Sequence, residues 1–444
     1  MKIAIVGGGI SGLGAALALS ERHEVRLFEA EDRLGGHACT LEARFGDAVE
    51  PVDVGFIVFN ERNYPNLVAL FEHLEVPTKW SDMSFGFSLS GGQLEYACDS
   101  VGKIFAQRWR ALDPRHLAGF AEILRFTKVA PADLEAGRLE GRSLADWLAE
   151  RRFSAWFRDR FLLPMGGAIW STSVGEVLEF PAKNFVRFFV NHDLMTGLGP
   201  AQRWRTVDGG SREYVRRVSA RLGERAQTGR RVVSVTGAAE DRPARLRFED
   251  GAEETADAVI LACHAPLARA LLEPEGGGDP AQHAALARLR TSENIAVLHS
   301  DPALMPKRRR VWSSWNFLSD GAAVDAVRPA QVSYWMNRLQ GIRQDRLLVV
   351  SLNPARPPDP GLTHASMAWA HPLYDGAAFD AQSALDAAQG RRGLWFAGAW
   401  LGYGFHEDGL RAGLRVAAAL GARPAWARDL GADPLTPAVP LAAE

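Results

Sequence analysis

The chain has 444 residues, 47% of them hydrophobic, and a formal net charge of −2. That length supplies enough apolar surface for two domains or one interleaved pair, and the near-neutral balance removes any global case for nucleic-acid binding. The three cysteines, Cys39, Cys98 and Cys263, are far apart and show no metal-type spacing, which excludes a disulfide framework and fits a reducing compartment.

In chain order, residues 3–6 read as a buried parallel strand, and Gly7, Gly9 and Gly12 follow in the G-x-G-x-x-G order ahead of a small-residue helix over 13–19. That pattern is a dinucleotide cradle. Gly7 permits the tight turn, Gly9 lets the backbone approach a pyrophosphate, and Gly12 and Gly14 let the helix pack on the sheet. Ile10 and Ser11 stand at the helix N-terminus, where N–H groups face the phosphates. A second strand over 24–28 leads to Glu29 and Ala30. An acid at 29 accepts a hydrogen bond from an adenosine ribose and repels a 2′-phosphate.

Residues 78–203 are rich in Trp, Phe and Arg at helical spacing. Within them, segment 104–110, followed by Arg115, His116 and Arg125, mixes aromatic and basic side chains as a membrane-surface element does, although a helix facing another domain carries the same mixture. Residues 230–235 alternate as a strand, 245–248 pair beside it, and 257–262 form a buried strand. From 269 to 387 helix signals mix with strands at 331–336 and 346–352, and the basic run 307–310 suits a solvated face or an anionic surface. Residues 393–398 close as a strand on Gly398, and 409–420 form a second small-residue helix. The tail from Trp426, with Pro434, Pro437 and Pro440, reads as a poorly ordered end.

The expected fold class is therefore α/β. A Rossmann-like cofactor domain, residues 1–77 with 204–268 and 388–425, is interleaved with an α+β substrate domain, 78–203 with 269–387, which has a helical part; 426–444 is the tail. No run of about 18 uncharged apolar residues is present, and no leader precedes the first strand. A cytoplasmic location follows as an expectation, with peripheral contact at the inner face of the membrane left open.

Four separated elements carry a resemblance. Glu31-Asp32-Arg33-Leu34-Gly35-Gly36, Asp208-Gly209-Gly210-Ser211, Phe396-Ala397-Gly398 and Asp408-Gly409-Leu410-Arg411-Ala412-Gly413, together with the first glycines and Glu29, resemble the flavin-dependent amine oxidase and phytoene desaturase superfamily over nearly the whole length. The resemblance implies FAD. It places Gly35 and Gly36 beside the pyrophosphate and ribityl chain, Arg33 near the phosphates and Val233 at the adenine. It puts Gly398, Gly409 and Leu410 where a helix N-terminus meets the flavin pyrimidine. His37 stands where many amine oxidases carry Arg, and no motif for covalent flavin attachment is recognisable.

The runs Ile169-Trp170-Ser171-Thr172, Glu179-Phe180-Pro181-Ala182, Arg187-Phe188-Phe189-Val190-Asn191-His192, Trp312-Ser313-Ser314-Trp315-Asn316, Tyr334-Trp335-Met336-Asn337 and Gly402-Tyr403-Gly404-Phe405-His406-Glu407-Asp408-Gly409 are similar to a bacterial branch of FAD-binding proteins. That branch is associated with cyclopropane-synthase-type lipid methyltransferases. The similarity implies an FAD-dependent oxidoreductase that desaturates methylated fatty acyl chains of membrane phospholipids, as in furan fatty acid formation. An acyl lipid is then the substrate, and a lipid methyltransferase of the same pathway is a candidate partner.

Phe180, Phe188, Phe189, Trp312, Trp315 and Trp335 are candidates to line an apolar substrate cavity, and each also suits ordinary core. Dehydrogenation needs a proton acceptor in a dry pocket. His406, Glu407 and Asp408, just before the closing helix, are the first candidates, with Tyr403 and His192 behind them. Asp408 has a rival role as a helix cap and Glu407 as a partner of Arg411. Two other functions stay open: a flavin amine oxidase acting on a small or polyamine substrate, with Trp395, Trp400 and Tyr403 as its aromatic cage, and a non-catalytic lipid or prenyl carrier on the same fold. No metal site is expected.

Overall fold

The computed structural model describes residues 1–192, 194, 203–240, 242–272, 277–321 and 328–430; the part of the expected tail beyond 430 lies outside the described residues. Five parallel strands form the cofactor sheet in the order Ala226–Gln227, Glu24–Phe28, Lys2–Val6, Ala258–Leu261, Leu394–Phe396. Its central strands are apolar along their length because both faces are covered, as a parallel sheet requires. Ile3, Ile5, Val259, Ile260 and Leu261 have no exposed surface.

The first helix, Ile10–Leu19, is buried at every position. It begins at Ile10 and not at 13, because Gly9 already supplies the extended residue before the first turn. It packs against the closing helix, His406–Ala419, through small residues. A Cβ on Gly413 would lie 2.2 Å from the Ser11 carbonyl oxygen, and one on Gly14 would lie 2.5 Å from the Leu410 side chain. The closing helix starts three residues earlier than its glycines suggest, so His406, Glu407 and Asp408 form its first turn. The Asp408 carboxylate explains the earlier start, since it accepts from the Tyr403 and Phe405 amides at 3.0 Å each.

A small antiparallel sheet joins Val232–Thr236, Ala244–Phe248 and Glu253–Ala256. The second large sheet has seven strands in the order Thr363–Pro372, Thr291–His299, Val349–Leu352, Gln331–Trp335, Trp315–Leu318, Phe85–Leu89, Leu94–Ala97. Its strand at 349–352 is shorter than the 346–352 segment expected. Helices including Pro114–Glu135, Leu163–Trp170 and Ala182–Asn191 pack on this unit and share its core. Cys39, Ala43, Val52 and Val54 belong to that second core, so the segment after the first βαβ unit reaches into the substrate side.

Asp53 ties these parts together. Its carboxyl accepts from the Ser211 amide at 2.9 Å and the Thr40 hydroxyl at 2.6 Å, while Gln340 reaches it from the substrate side at 3.3 Å. Burial pushes its pKa up to about 6. Gly210, at φ +88°, is required here because a Cβ would lie 2.7 Å from Thr40. No helix among the described residues is long and apolar enough to cross a membrane.

The contact between the first and closing helices generates a stability prediction. Gly413→Val drives a side chain into the Ser11 backbone, and urea denaturation should show a loss of at least about 2 kcal/mol. Unchanged stability would mean that the two helices do not approach this closely.

Candidate functional site

A single cavity of about 1570 Å³ runs from the glycine cradle into the space beside the second sheet. Pockets for one small ligand measure roughly 300–1,000 Å³, so this one has room for a cofactor and a substrate. Gly7, Gly9, Ile10, Ser11, Glu29, Ala30, Arg33, Gly36, His37 and Gly398 all line it.

The cradle fits a dinucleotide. Gly7 turns at φ +112°, where a Cβ would lie 2.8 Å from the Ala262 carbonyl oxygen. At Gly9 a Cβ would meet nothing within 4 Å, which marks the open space a pyrophosphate requires. Glu29 accepts from the Gly8 amide at 2.7 Å and from the Glu31 amide at 2.9 Å, so one carboxylate fixes both the glycine turn and the loop beyond the second strand. Arg33 is held by the Gly36 carbonyl at 3.0 Å.

Five expected cofactor residues stand behind the cavity wall. A Cβ on Gly12 would lie 1.9 Å from the Gly7 oxygen, and one on Gly35 would lie 2.5 Å from the Ala38 oxygen, so both glycines serve close packing. Gly409 and Leu410 pack on the first helix. Val232, and not Val233, faces the cavity, because a bulge between Val232 and Ser234 shifts the strand.

The substrate half is apolar, and alternation decides which aromatics reach it. Trp315 pairs with Tyr334 across neighbouring strands, ring centroids 4.8 Å apart, and both line the cavity. Trp335, one residue on, faces the other side of the sheet and meets Trp312 at 5.6 Å in a separate cluster. On helix Ala182–Asn191, Phe188 stacks on His192 at 3.9 Å along the cavity face. Phe189 turns to the core and stacks on Phe185 at 4.4 Å, and Phe180 packs there too. Phe180, Phe189 and Trp312 are therefore core residues and Trp335 is a half-buried residue packed behind the sheet, a correction to the expected lining. Phe85, Phe161, Met165, Trp170 and Met367 complete the wall.

The ionisable candidates separate by partner. Glu407 is buried and caps helix Pro65–His73, accepting from the Asn66 and Leu67 amides at 3.1 and 2.9 Å and from the Asn66 side chain at 2.8 Å. Burial pushes its pKa up to about 7. Arg411 is bonded to Asp408, at 2.7 Å, and not to Glu407 as the spacing suggested. Both carboxylates hold backbone and stand outside the cavity wall.

His406, Tyr403 and His192 do line the cavity. His406 stacks on Phe56 at 3.8 Å, its Nε2 meets the Tyr214 hydroxyl at 2.8 Å, and burial holds its pKa down to about 3. His192 Nδ1 lies 3.0 Å from the Phe188 carbonyl, and burial holds its pKa down to about 4. His264, His371 and Trp369 were not expected. Met367, Trp369 and His371 are alternate residues of one strand, Thr363–Pro372, and all three line the cavity. That period-2 pattern is the signal the sequence offered for them.

Comparison with known proteins places this geometry. Residues 10–313 match the flavin containing amine oxidoreductase family. A Mycobacterium tuberculosis protein named as a flavin-containing monoamine oxidase, AofH, is 27% identical over 241 residues, 51% of this chain and 49% of that protein, so the chain spans about half the length of the curated relatives it matches. Putrescine oxidase with bound putrescine superposes with a TM-score of 0.65 at 19% identity, over 95% of this chain and 99% of the other. The CLA-producing fatty acid isomerase of P. acnes superposes with a TM-score of 0.62 at 14% identity, over 93% and 96%.

The cradle supplies a test of cofactor binding that does not depend on activity. The first carbon of a side chain at Gly9 meets no protein atom within 4 Å, so the melting temperature of cofactor-free Gly9→Val should be unchanged while FAD binding, followed by flavin absorbance after gel filtration, is lost. A yellow Gly9→Val protein would remove the pyrophosphate from this position.

Proposed function

We propose, for a chain that belongs to the flavin containing amine oxidoreductase family, that its dehydrogenation chemistry acts on the hydrocarbon chain of a fatty acyl lipid. Family membership carries the coarser conclusion, a flavin-dependent oxidoreductase with FAD as cofactor.

The observation that supports the finer reading is the charge pattern of the cavity. Among the described residues its lining carboxylates are Glu29 and Glu31, at the ribose end, and Asp82 and Asp99. Asp82 is committed to Ser314 and Arg338 at 2.7 and 2.8 Å, and Asp99 to Lys103 at 2.6 Å. Among the described residues, the wall around Phe85, Trp170, Phe188 and Tyr334 thus offers aromatic surface and no uncommitted anion for a cationic substrate. Amine oxidation is the second reading, favoured by the amine oxidase names among the relatives and by Trp400 and Tyr403 on the wall. Trp395 does not join them, since it packs on Gly390 away from the cavity.

Bound FAD supplies the acceptor for the hydride lost by one carbon. The neighbouring carbon loses a proton, and we assign His192 to receive it. Donation from Nδ1 to the Phe188 carbonyl leaves the lone pair on Nε2. Burial keeps that imidazole neutral at neutral pH, so its lone pair is free, although the same burial disfavours the cation that accepting a proton forms. His406, also on the wall, already engages Tyr214 through Nε2 and acts as a positioning residue. The aromatic lining excludes water from the reacting carbons.

Access from a membrane surface is part of the same proposal. Cavity-wall residues Cys98 and Asp99 run straight into a segment where Val101, Trp109, Leu112 and Leu117 are exposed among Lys103, Arg108, Arg110 and Arg115. Arg310 donates to the Gly102 carbonyl at 3.2 Å, which brings the basic run 307–310 to this face. Apolar tips ringed by cations match an anionic phospholipid surface.

Three measurements check the proposal. Anaerobic mixing with phospholipid carrying methylated unsaturated chains should bleach the flavin while putrescine and monoamines do not; the reverse pattern would move the protein to amine oxidation. In a single turnover, His192→Ala should retain FAD yet slow flavin reduction by roughly 10²–10⁴-fold, and a wild-type rate would return the proton to another group. Sedimentation with anionic phosphatidylglycerol vesicles should be lost in Trp109→Asp with Leu112→Asp but not in the wild type, and equal sedimentation of both would dismiss this face as the contact.

A further inference from the structure

Three half-buried imidazoles converge where the cradle meets the substrate sheet. His37 follows Gly36, whose Cβ, if present, would lie 3.1 Å from the Gly9 Cα. His264 lies two residues beyond Ala262, whose oxygen faces Gly7. His371 comes from the far side, on the strand Thr363–Pro372. The His37 ring centroid is 5.6 Å from that of His264 and 5.4 Å from that of His371, and all three line the cavity.

Two of their nitrogens, His37 Nε2 and His371 Nδ1, are buried with no hydrogen-bond partner. A buried polar atom left so costs roughly 1–3 kcal/mol, and in a cavity wall that cost marks a place for a ligand. The ring of His37 is fixed in place, stacked on Trp369 at 4.5 Å, and Arg33 lies 5.9 Å over the same indole. The group is thus oriented, polar and adjacent to Gly9.

We propose that His37, His264 and His371, with Arg33, bind the negatively charged diphosphate segment of FAD, and that the cofactor enters with uptake of a proton from solvent by this group. The inference rests on FAD as the cofactor and does not depend on which substrate is oxidised. Burial is the main force against a positive charge on His37, and the groups that face it, His371 from the edge strand, His264 from the loop after Ala258–Leu261, His406 from the closing helix and Arg33 from its own loop, add to it. His371 is likewise held down to about 4 by burial and His264. The free protein therefore holds neutral rings. A diphosphate brought against them favours the cationic form and raises the imidazole pKa in the complex.

The sign follows from linkage. A group with a low pKa in the free protein and a higher one in the complex gives its tightest binding at low pH, and affinity falls as pH rises through the bound-state value. The dissociation constant of FAD for deflavinated protein should rise with pH between about 5.5 and 8, by up to about tenfold per unit for one proton. Calorimetry in two buffers of different ionisation enthalpy should show proton uptake. His37→Arg puts a permanent cation at the same place, so its FAD affinity should be flat over that range and its uptake reduced. His371→Gln should weaken binding and lessen the slope.

A wild-type dissociation constant that does not change with pH, or uptake that is the same in wild type, His37→Arg and His371→Gln, overturns the inference while leaving FAD as the cofactor. No FAD binding at any pH overturns the inference together with the cofactor assignment. The two wild-type measurements decide the matter even if a variant does not fold.

Discussion

The contact between two glycine-bearing helices sets up everything else in this molecule. Helix Ile10–Leu19 comes from the start of the chain and His406–Ala419 from near its end, and they approach until Gly413 leaves no space above the Ser11 carbonyl. Only that close approach puts both N-termini on one cavity, with Gly9 and Ile10 from one and Phe405 and His406 from the other. Two positive helix ends facing the same space favour a ligand that carries negative charge. The carboxylates at the second N-terminus are turned away from that space: Asp408 to its own loop and Glu407 to helix Pro65–His73.

The consequence for chemistry is a cavity whose ionisable groups are kept uncharged. His37, His192, His371 and His406 all have their charged forms disfavoured by burial. Neutral imidazoles can accept protons, and an aromatic wall keeps water from competing for them. On that basis we propose removal of hydrogen from a carbon chain over recognition of a soluble cation. Of the acidic and basic side chains on the wall, Arg33, Glu29 and Glu31 stand beside the glycine cradle, while Asp82 and Asp99 are paired with Arg338 and Lys103.

What could be read from the sequence was local. The cradle needs glycines at fixed spacing, and each strand around it is a short apolar run, so residues 3–6, 24–28 and 257–262 announce the parallel sheet without any knowledge of their partners. The substrate wall was harder to read because it depends on which face of an element turns inward. Trp315 and Trp335 look alike in composition, yet their positions on paired strands send one to the cavity and the other behind the sheet. Glu407 looked like part of an acid–base cluster because its true partners, Asn66 and Leu67, lie more than 300 residues away in sequence. His371 was missed for the opposite reason, since the strand that carries it was not recognised and its alternation with Met367 and Trp369 went unread.

The central claim is that one continuous cavity holds FAD along the first helix and an acyl chain beside it. Diffraction from crystals of the FAD-loaded protein grown with a methyl-branched phospholipid tests this most directly. The account predicts density for the diphosphate over Gly9 and Gly36 and for the acyl chain along Phe85, Trp170, Phe188 and Tyr334, with His192 Nε2 facing the chain. An FAD whose diphosphate lies elsewhere, or a lipid bound only outside this wall, would contradict it.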